Sequence, residues 1–187
     1  MLLKIVLVLV LLIAAVAVVA AFQPAGFRVE RSAAIDAPAP VVFEQVNDLH
    51  KFQQWSPWAR LDPNCKNQYD GPPAGTGAAL SWEGNHQVGA GTMTVTDSRP
   101  NEVVRMKLDF VKPFKGTNLV EFTFTPTDGK TVVTWQMIGQ KNFVCKAMGL
   151  FVSMDKMCGD QFEQGLTNLK QIAESEAQKT PALTSAN

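Results

Sequence analysis

From residue 148 to residue 176 the apolar positions recur every three or four residues. Phe151, Met154, Cys158, Phe162, Leu166 and Leu169 share one side of a helical wheel, while Lys156, Asp160, Glu163, Lys170 and Glu174 lie on the opposite side. This spacing predicts a long amphipathic helix, which needs a broad apolar surface to rest on. Residues 27–139 supply that surface, because there the period is two. Phe27, Val29 and Arg31 alternate with Arg28, Glu30 and Ser32. Ala78, Leu80 and Trp82 alternate with Ala79, Ser81 and Glu83. Val104, Met106, Leu108 and Phe110 form the next apolar face, then Val120, Phe122 and Phe124, then Val133, Trp135 and Met137. Turn chemistry separates the runs: Tyr69-Asp70-Gly71-Pro72-Pro73, Glu83-Gly84-Asn85-His86, Ser98-Arg99-Pro100-Asn101 and Thr127-Asp128-Gly129-Lys130. Residues 88–97 read as a Gly- and Thr-rich strand in which Gly89 and Gly91 mark a bulge or a close backbone approach.

Between the first strand and these hairpins, Pro38 and Pro40 stop the strand and open a helix through Val41, Val42, Phe43, Val46 and Leu49. A second short piece spans residues 50–58. The order is strand, two short helices, about six strands in hairpin succession and one long helix. This predicts an α+β architecture, a curved antiparallel β-sheet wrapped around a long C-terminal α-helix, with a cavity near their ends.

Residues 5–22 are apolar without exception. Eighteen helical residues reach about 27 Å, close to the hydrocarbon thickness of a bilayer. A short charged start and the small residues Val19-Ala20-Ala21 also describe a cleavable signal peptide. The length of the run favours a retained anchor, a transmembrane helix over residues 1–23, followed by a domain over 24–177 and a polar, disordered tail over 178–187. With no long N-terminal tail to translocate, the domain is expected on the outer, periplasmic side of the cytoplasmic membrane.

The 187 residues carry 17 basic and 17 acidic side chains. That balance, with no basic cluster, argues against nucleic acid as a partner. Cys65, Cys145 and Cys158 are odd in number and lack paired short spacing, so neither a disulfide framework nor a zinc site is indicated. There is no His-x-x-x-His pair, no Gly-x-Ser-x-Gly elbow and no glycine loop followed by lysine, so no metal or cofactor is expected. Glu83, His50 and His86 fall in turns or beside helix ends, Asp109 alternates outward, and Asp155 and Asp160 are five apart, a spacing that does not stack them. No catalytic set emerges.

Particular residues resemble a known superfamily. They are Arg31-Ser32-Ala33-Ala34-Ile35-Asp36-Ala37-Pro38, Val42-Phe43, Val46-Asn47-Asp48, Trp55-Ser56-Pro57-Trp58, Asp62-Pro63 and Tyr69-Asp70-Gly71-Pro72. Gly75, Gly77-Ala78, Trp82-Glu83-Gly84-Asn85, Gly89-Ala90-Gly91, Phe162-Glu163-Gln164-Gly165-Leu166 and Leu169-Lys170 continue the pattern. Over residues 27–176 the chain resembles the SRPBCC superfamily, the START and Bet v 1-like helix-grip proteins. It is most similar to bacterial polyketide cyclase/dehydrase-like members with an N-terminal membrane segment. The resemblance implies a helix-grip fold with a cavity for a hydrophobic small molecule or lipid, and no catalytic residue is shared across the superfamily.

On that expectation Trp55, Trp58, Trp82, Met93, Met106, Phe110, Phe122, Phe124, Trp135, Phe151, Met154 and Cys158 are the candidate cavity-lining residues, each of which also fits plain core packing. Trp55 and Trp58 bracket a Ser-Pro turn expected near the cavity mouth. The reading that follows is a membrane-tethered module that binds, or carries, a hydrophobic ligand. The alternatives are a cyclase or dehydratase acting on an apolar substrate in the same cavity, and a non-catalytic structural or partner-binding protein. The oligomeric state stays open.

Overall fold

Alternation builds the sheet, and the turns set its register. The computed structural model describes residues 1–150 and 153–184, the last five of these as backbone alone. Its strands are β1 (Gly26–Ile35), β2 (Lys66–Asp70), β3 (Ala79–Glu83), β4 (Ala90–Arg99), β5 (Val103–Lys112), β6 (Gly116–Thr127) and β7 (Lys130–Gln140). Its helices are α1 (Leu2–Phe22), α2 (Ala39–Asn47), α3 (Leu49–Trp55), α4 (Phe143–Met148) and α5 (Met154–Thr184), and a 3-10 turn covers Pro57–Arg60.

The seven strands form one antiparallel sheet in the order β1-β7-β6-β5-β4-β3-β2, so the first strand pairs with the last. Asp128 and Gly129 take positive φ values of 46° and 78° between Thr127 and Lys130, which pair with each other. That is the conformation a two-residue hairpin loop needs to match the twist of its strands. The period-two positions separate as expected: Val29, Leu80, Met93, Met106, Phe122, Phe124, Val133, Trp135 and Met137 are buried on one face.

α5 buries Phe162, Leu166, Leu169 and Ala173 and lies chiefly over β1, at one edge of the sheet. α2 and α3 cover the middle, where Val42, Phe43, Val46, Leu49 and Phe52 join the same core. Asp48 caps α3 by accepting hydrogen bonds from the backbone N–H groups of His50 and Lys51. Such a cap is worth about 1 kcal/mol and explains why the chain breaks between two short helices.

Three boundaries differ from the sequence reading. The amphipathic period extends back to residue 148, but Met148 ends α4, a separate helix capped at Gly149, and α5 begins at Met154. At its other end α5 continues to Thr184, past residue 176, into the segment read as a loose tail. Tyr69-Asp70, read as turn chemistry, closes the edge strand β2. Its sequence, Lys-Asn-Gln-Tyr-Asp, has no apolar alternation because one neighbour and one mostly solvated face do not demand it.

α1 is long and apolar enough to cross a membrane, and only Ala20 of its residues is buried. It touches the rest of the chain chiefly through α4.

Candidate functional site

Aromatic rings fill the space between α5 and the middle of the sheet. Phe162 stacks on Trp135 with ring centroids 4.0 Å apart and planes 6° from parallel. Trp135 also meets Phe122 at 4.8 Å and Trp55 at 5.6 Å. Trp58 flanks the set, 5.8 Å from Trp135 and 6.2 Å from Phe162. Trp55, Phe122, Trp135 and Phe162 are none of them more than 2% exposed. Gly165 makes the fit possible, since a Cβ there would come within 2.8 Å of the Trp135 ring. The Trp55 indole N–H donates to the Gln45 carbonyl at 2.9 Å, and the Asn168 amide donates to the Trp55 carbonyl at 3.0 Å, so the polar edges of Trp55 are satisfied inside the core. Rings, not open space, occupy this part of the interior.

A recess of about 550 Å³ opens elsewhere, at the end of the sheet where α1 enters. The start of β1 contributes Phe27 and Arg28, and the chain beyond β7 contributes Lys141. α4 and the residue after its cap contribute Cys145, Met148 and Leu150, and the first turn of α5 contributes Met154, Asp155 and Met157. The volume lies within the usual range for small-molecule sites, and most of the lining side chains are apolar. A second recess of about 490 Å³ at the opposite end is lined by Pro38-Ala39-Pro40, Asn101 and residues 126–130, over the β6–β7 hairpin.

Beside the recess, Asp155 belongs to an ion-pair clamp with Arg31, which also holds Glu163. Arg31 stands on the inward side of β1, in register with Trp135. Its guanidinium donates to both carboxylate oxygens of Asp155 at 3.0 Å and to Glu163 at 2.7 Å. The fork geometry of arginine suits this arrangement. Hydrogen bonding from Arg31 holds the Asp155 carboxyl below its ordinary range, and the two carboxylates push the Arg31 value up. Gly159 lies over the guanidinium, where a Cβ would fall 2.1 Å from Nη2. Beside the clamp, burial pushes the Cys158 thiol up to about 11. Such a thiol is a packing group rather than a nucleophile at neutral pH.

Residues 26–174 match the family described as polyketide cyclase / dehydrase and lipid transport. The chain belongs to that family. Its solved relatives share the fold at low identity. Protein CV1439 from Chromobacterium violaceum is 15% identical with a TM-score of 0.57, the match covering 81% of this chain and 99% of that one. A Nitrosospira multiformis protein is 19% identical with a TM-score of 0.58, again covering 81% and 99%. DynU16, from the dynemicin biosynthetic locus, is 17% identical with a TM-score of 0.55 over 80% of this chain and 48% of its own. No functionally curated protein matches the chain.

Membership of the polyketide cyclase / dehydrase and lipid transport family raises the question of which expected lining residues meet the recess. Trp55, Met93, Met106, Phe122, Phe124 and Trp135 are buried in the core. Trp55 therefore packs inside rather than standing at a mouth, while Trp58 is half-buried at the margin of the ring set. Trp82 and Phe110, 5.7 Å apart, are half-buried over Gly91 on the same apolar face, at the β3–β5 part of the sheet. Cys158 is half-buried behind the clamp, and Met154 lines the recess. Phe151 lies outside the described residues. Phe27, Cys145, Met148, Leu150 and Met157 were not singled out as lining. The apolar run in residues 143–150, beyond β7, is the signal for Cys145, Met148 and Leu150, while Phe27 and Met157 lie within the strand and helix patterns and carry no separate signal.

Proposed function

We propose that the domain binds an apolar chain with an acidic head group, a fatty acid or a related lipid, in the recess between β1, α4 and the start of α5. α1 would hold it to the membrane. The observation that carries this reading is the position of the recess. A mostly apolar space of ligand size opens directly beside the helix that is long enough to cross a bilayer. Lys141 lines the same recess and supplies a cation for a carboxylate or phosphate; Arg28 beside it is paired with Glu30, and Asp155 is engaged by Arg31. The family description, which names both lipid transport and cyclase chemistry, supports a hydrophobic ligand at this level. The cyclase reading asks for a buried acid or base near the ligand. Asp155, the carboxylate in the recess, is held ionised by its partner and so suits positioning better than proton donation.

In this reading α1 is retained, which N-terminal sequencing of the native protein checks, and the domain stands on the outer side of the cytoplasmic membrane, which protease accessibility in intact cells with the outer barrier opened checks. A diazirine-bearing fatty acid, photolysed with the full chain in its membrane, is expected to label residues 26–28 and 154–157. Met154→Trp, which places a ring in the recess, should reduce that labelling several-fold. Labelling confined to α1 would sink the proposal.

A further inference from the structure

Strand direction gathers one set of connections at the end of the sheet where α1 enters. Gly26 pairs with Gln140, Phe110 with Gly116, and Ala90 with both Glu83 and Lys112. The α1–β1 link, α4, the β5–β6 hairpin and the β3–β4 loop therefore share that end. Val111 and Phe114 on the hairpin and Phe143, Val144 and Met148 on α4 are between 43 and 55% exposed. A soluble surface tolerates single exposed hydrophobics, but five gathered at one end of a sheet form a patch that calls for an occupant. At the opposite end the β4–β5 and β6–β7 turns carry Arg99, Glu102, Asp128 and Lys130, a balanced set, and, among the described residues, no exposed large hydrophobic.

Charge follows the same division. Residues 111–120 and 138–150 contain Lys112, Lys115, Lys141 and Lys146 and no aspartate or glutamate; Lys112 is paired with Glu83 at the end of β3 at 2.7 Å, so the surplus at this end is carried by Lys115, Lys141 and Lys146. Lysine beside phenylalanine is the composition of a surface that meets anionic lipid, the rings entering the head-group layer and the ammonium groups staying with the phosphates. Chain length adds an independent constraint. Only residues 23–25 separate α1 from β1, and three extended residues reach about 10 Å. A spanning α1 thus leaves this end of the sheet no room to stand clear of the bilayer.

We propose that the end of the sheet bearing Phe114, Phe143, Val144 and Met148 is a membrane-docking surface. It fixes the domain on an anionic bilayer with the recess facing the lipid, so that ligand passes between bilayer and protein without crossing water. The docking rests on α1 being an anchor, and the passage of ligand rests in addition on the recess taking a lipid.

The test uses the full chain in nanodiscs containing brominated phosphatidylcholine and phosphatidylglycerol. Tryptophan is introduced by Phe114→Trp at the proposed surface and by Thr127→Trp at the far hairpin, and emission is read above the wild-type background. Quenching of the Phe114→Trp signal at least twofold stronger than that of Thr127→Trp is expected, and adding Lys115→Glu and Lys146→Glu should weaken it. Equal quenching at the two sites would overturn the docking surface while leaving α1 an anchor. A chain that fails to enter nanodiscs would overturn the anchor and this inference together. Met154→Trp, which fills the recess, should reduce fatty-acid labelling there several-fold while docking persists, which separates the two proposals.

Discussion

Phe162→Ala tests whether rings close the interior between α5 and the sheet. The side chain is 1% exposed, stacked on Trp135 at 4.0 Å and set edge-on to Trp58 at 6.2 Å. Truncating a fully buried phenylalanine removes its transfer free energy and leaves a cavity, together about 3–5 kcal/mol. The surrounding rings have little freedom to collapse inward, because Trp55 and Trp135 are held by neighbours on every side, so the upper half of that range applies. Against a total stability of about 5–15 kcal/mol this is a large fraction. With a urea dependence of about 2 kcal/mol per molar, the unfolding midpoint should fall by about 2 M. The assay is urea unfolding of the full chain in mild detergent, followed by tryptophan emission, since two of the four tryptophans touch the ring removed. Phe143→Ala, at an exposed ring on α4, serves as the control and should move the midpoint by less than about 0.5 M, the range expected of a surface change. A shift for Phe162→Ala as small as the control's would refute the packed interior.

Arg31→Gln removes the partner that holds the Asp155 carboxyl low. A carboxylate depressed in the folded state contributes stability above its unfolded value, near 4, and loses it as pH falls through the folded value. The stability gap between wild type and variant should therefore be widest at neutral pH and close below about pH 4; a gap independent of pH would contradict the clamp. Cys158, pushed up to about 11, is expected to be thiolate in about one molecule in a thousand at pH 8. Its alkylation by iodoacetamide should speed up more than a hundredfold in urea, as read by peptide mass spectrometry, and equal rates in both states would argue against burial. Gly91→Ala places a Cβ 2.5 Å from the Asp109 carbonyl and 2.6 Å from the Trp82 ring. A loss of about 1–3 kcal/mol with a change in Trp82 emission is expected, and an unchanged melting curve would count against that packing.

Reading from residues to fold worked where one physical demand fixed the pattern. Phe122, Phe124, Val133 and Trp135 alternate because one face of the sheet must be apolar, and all four are buried. Phe162, Leu166 and Leu169 follow the helical period for the same reason. β2 escaped notice because an edge strand of polar residues carries no such demand. The site was harder to see, since a large aromatic residue looks the same in sequence whether it fills a core or lines a pocket. Trp55, Phe122 and Trp135 filled the core, and the decision rested on three-dimensional fit, including the absence of a side chain at Gly165. Met148 and Met157 were hidden for another reason. They come from two helices whose juxtaposition depends on the break at Gly149, and the heptad-like spacing ran straight through it.

The location of the ligand is open to one direct measurement. Besides Met1, the chain has methionines in two settings: Met93, Met106 and Met137 are buried in the core, and Met148, Met154 and Met157 line the recess. Methyl-labelled methionine NMR of the full chain, titrated with a fatty acid, should shift the Met148, Met154 and Met157 signals and leave Met93 and Met106 in place. Shifts centred on Met93 and Met106, with the recess methionines unmoved, would put the ligand inside the sheet and contradict the site proposed for this fold.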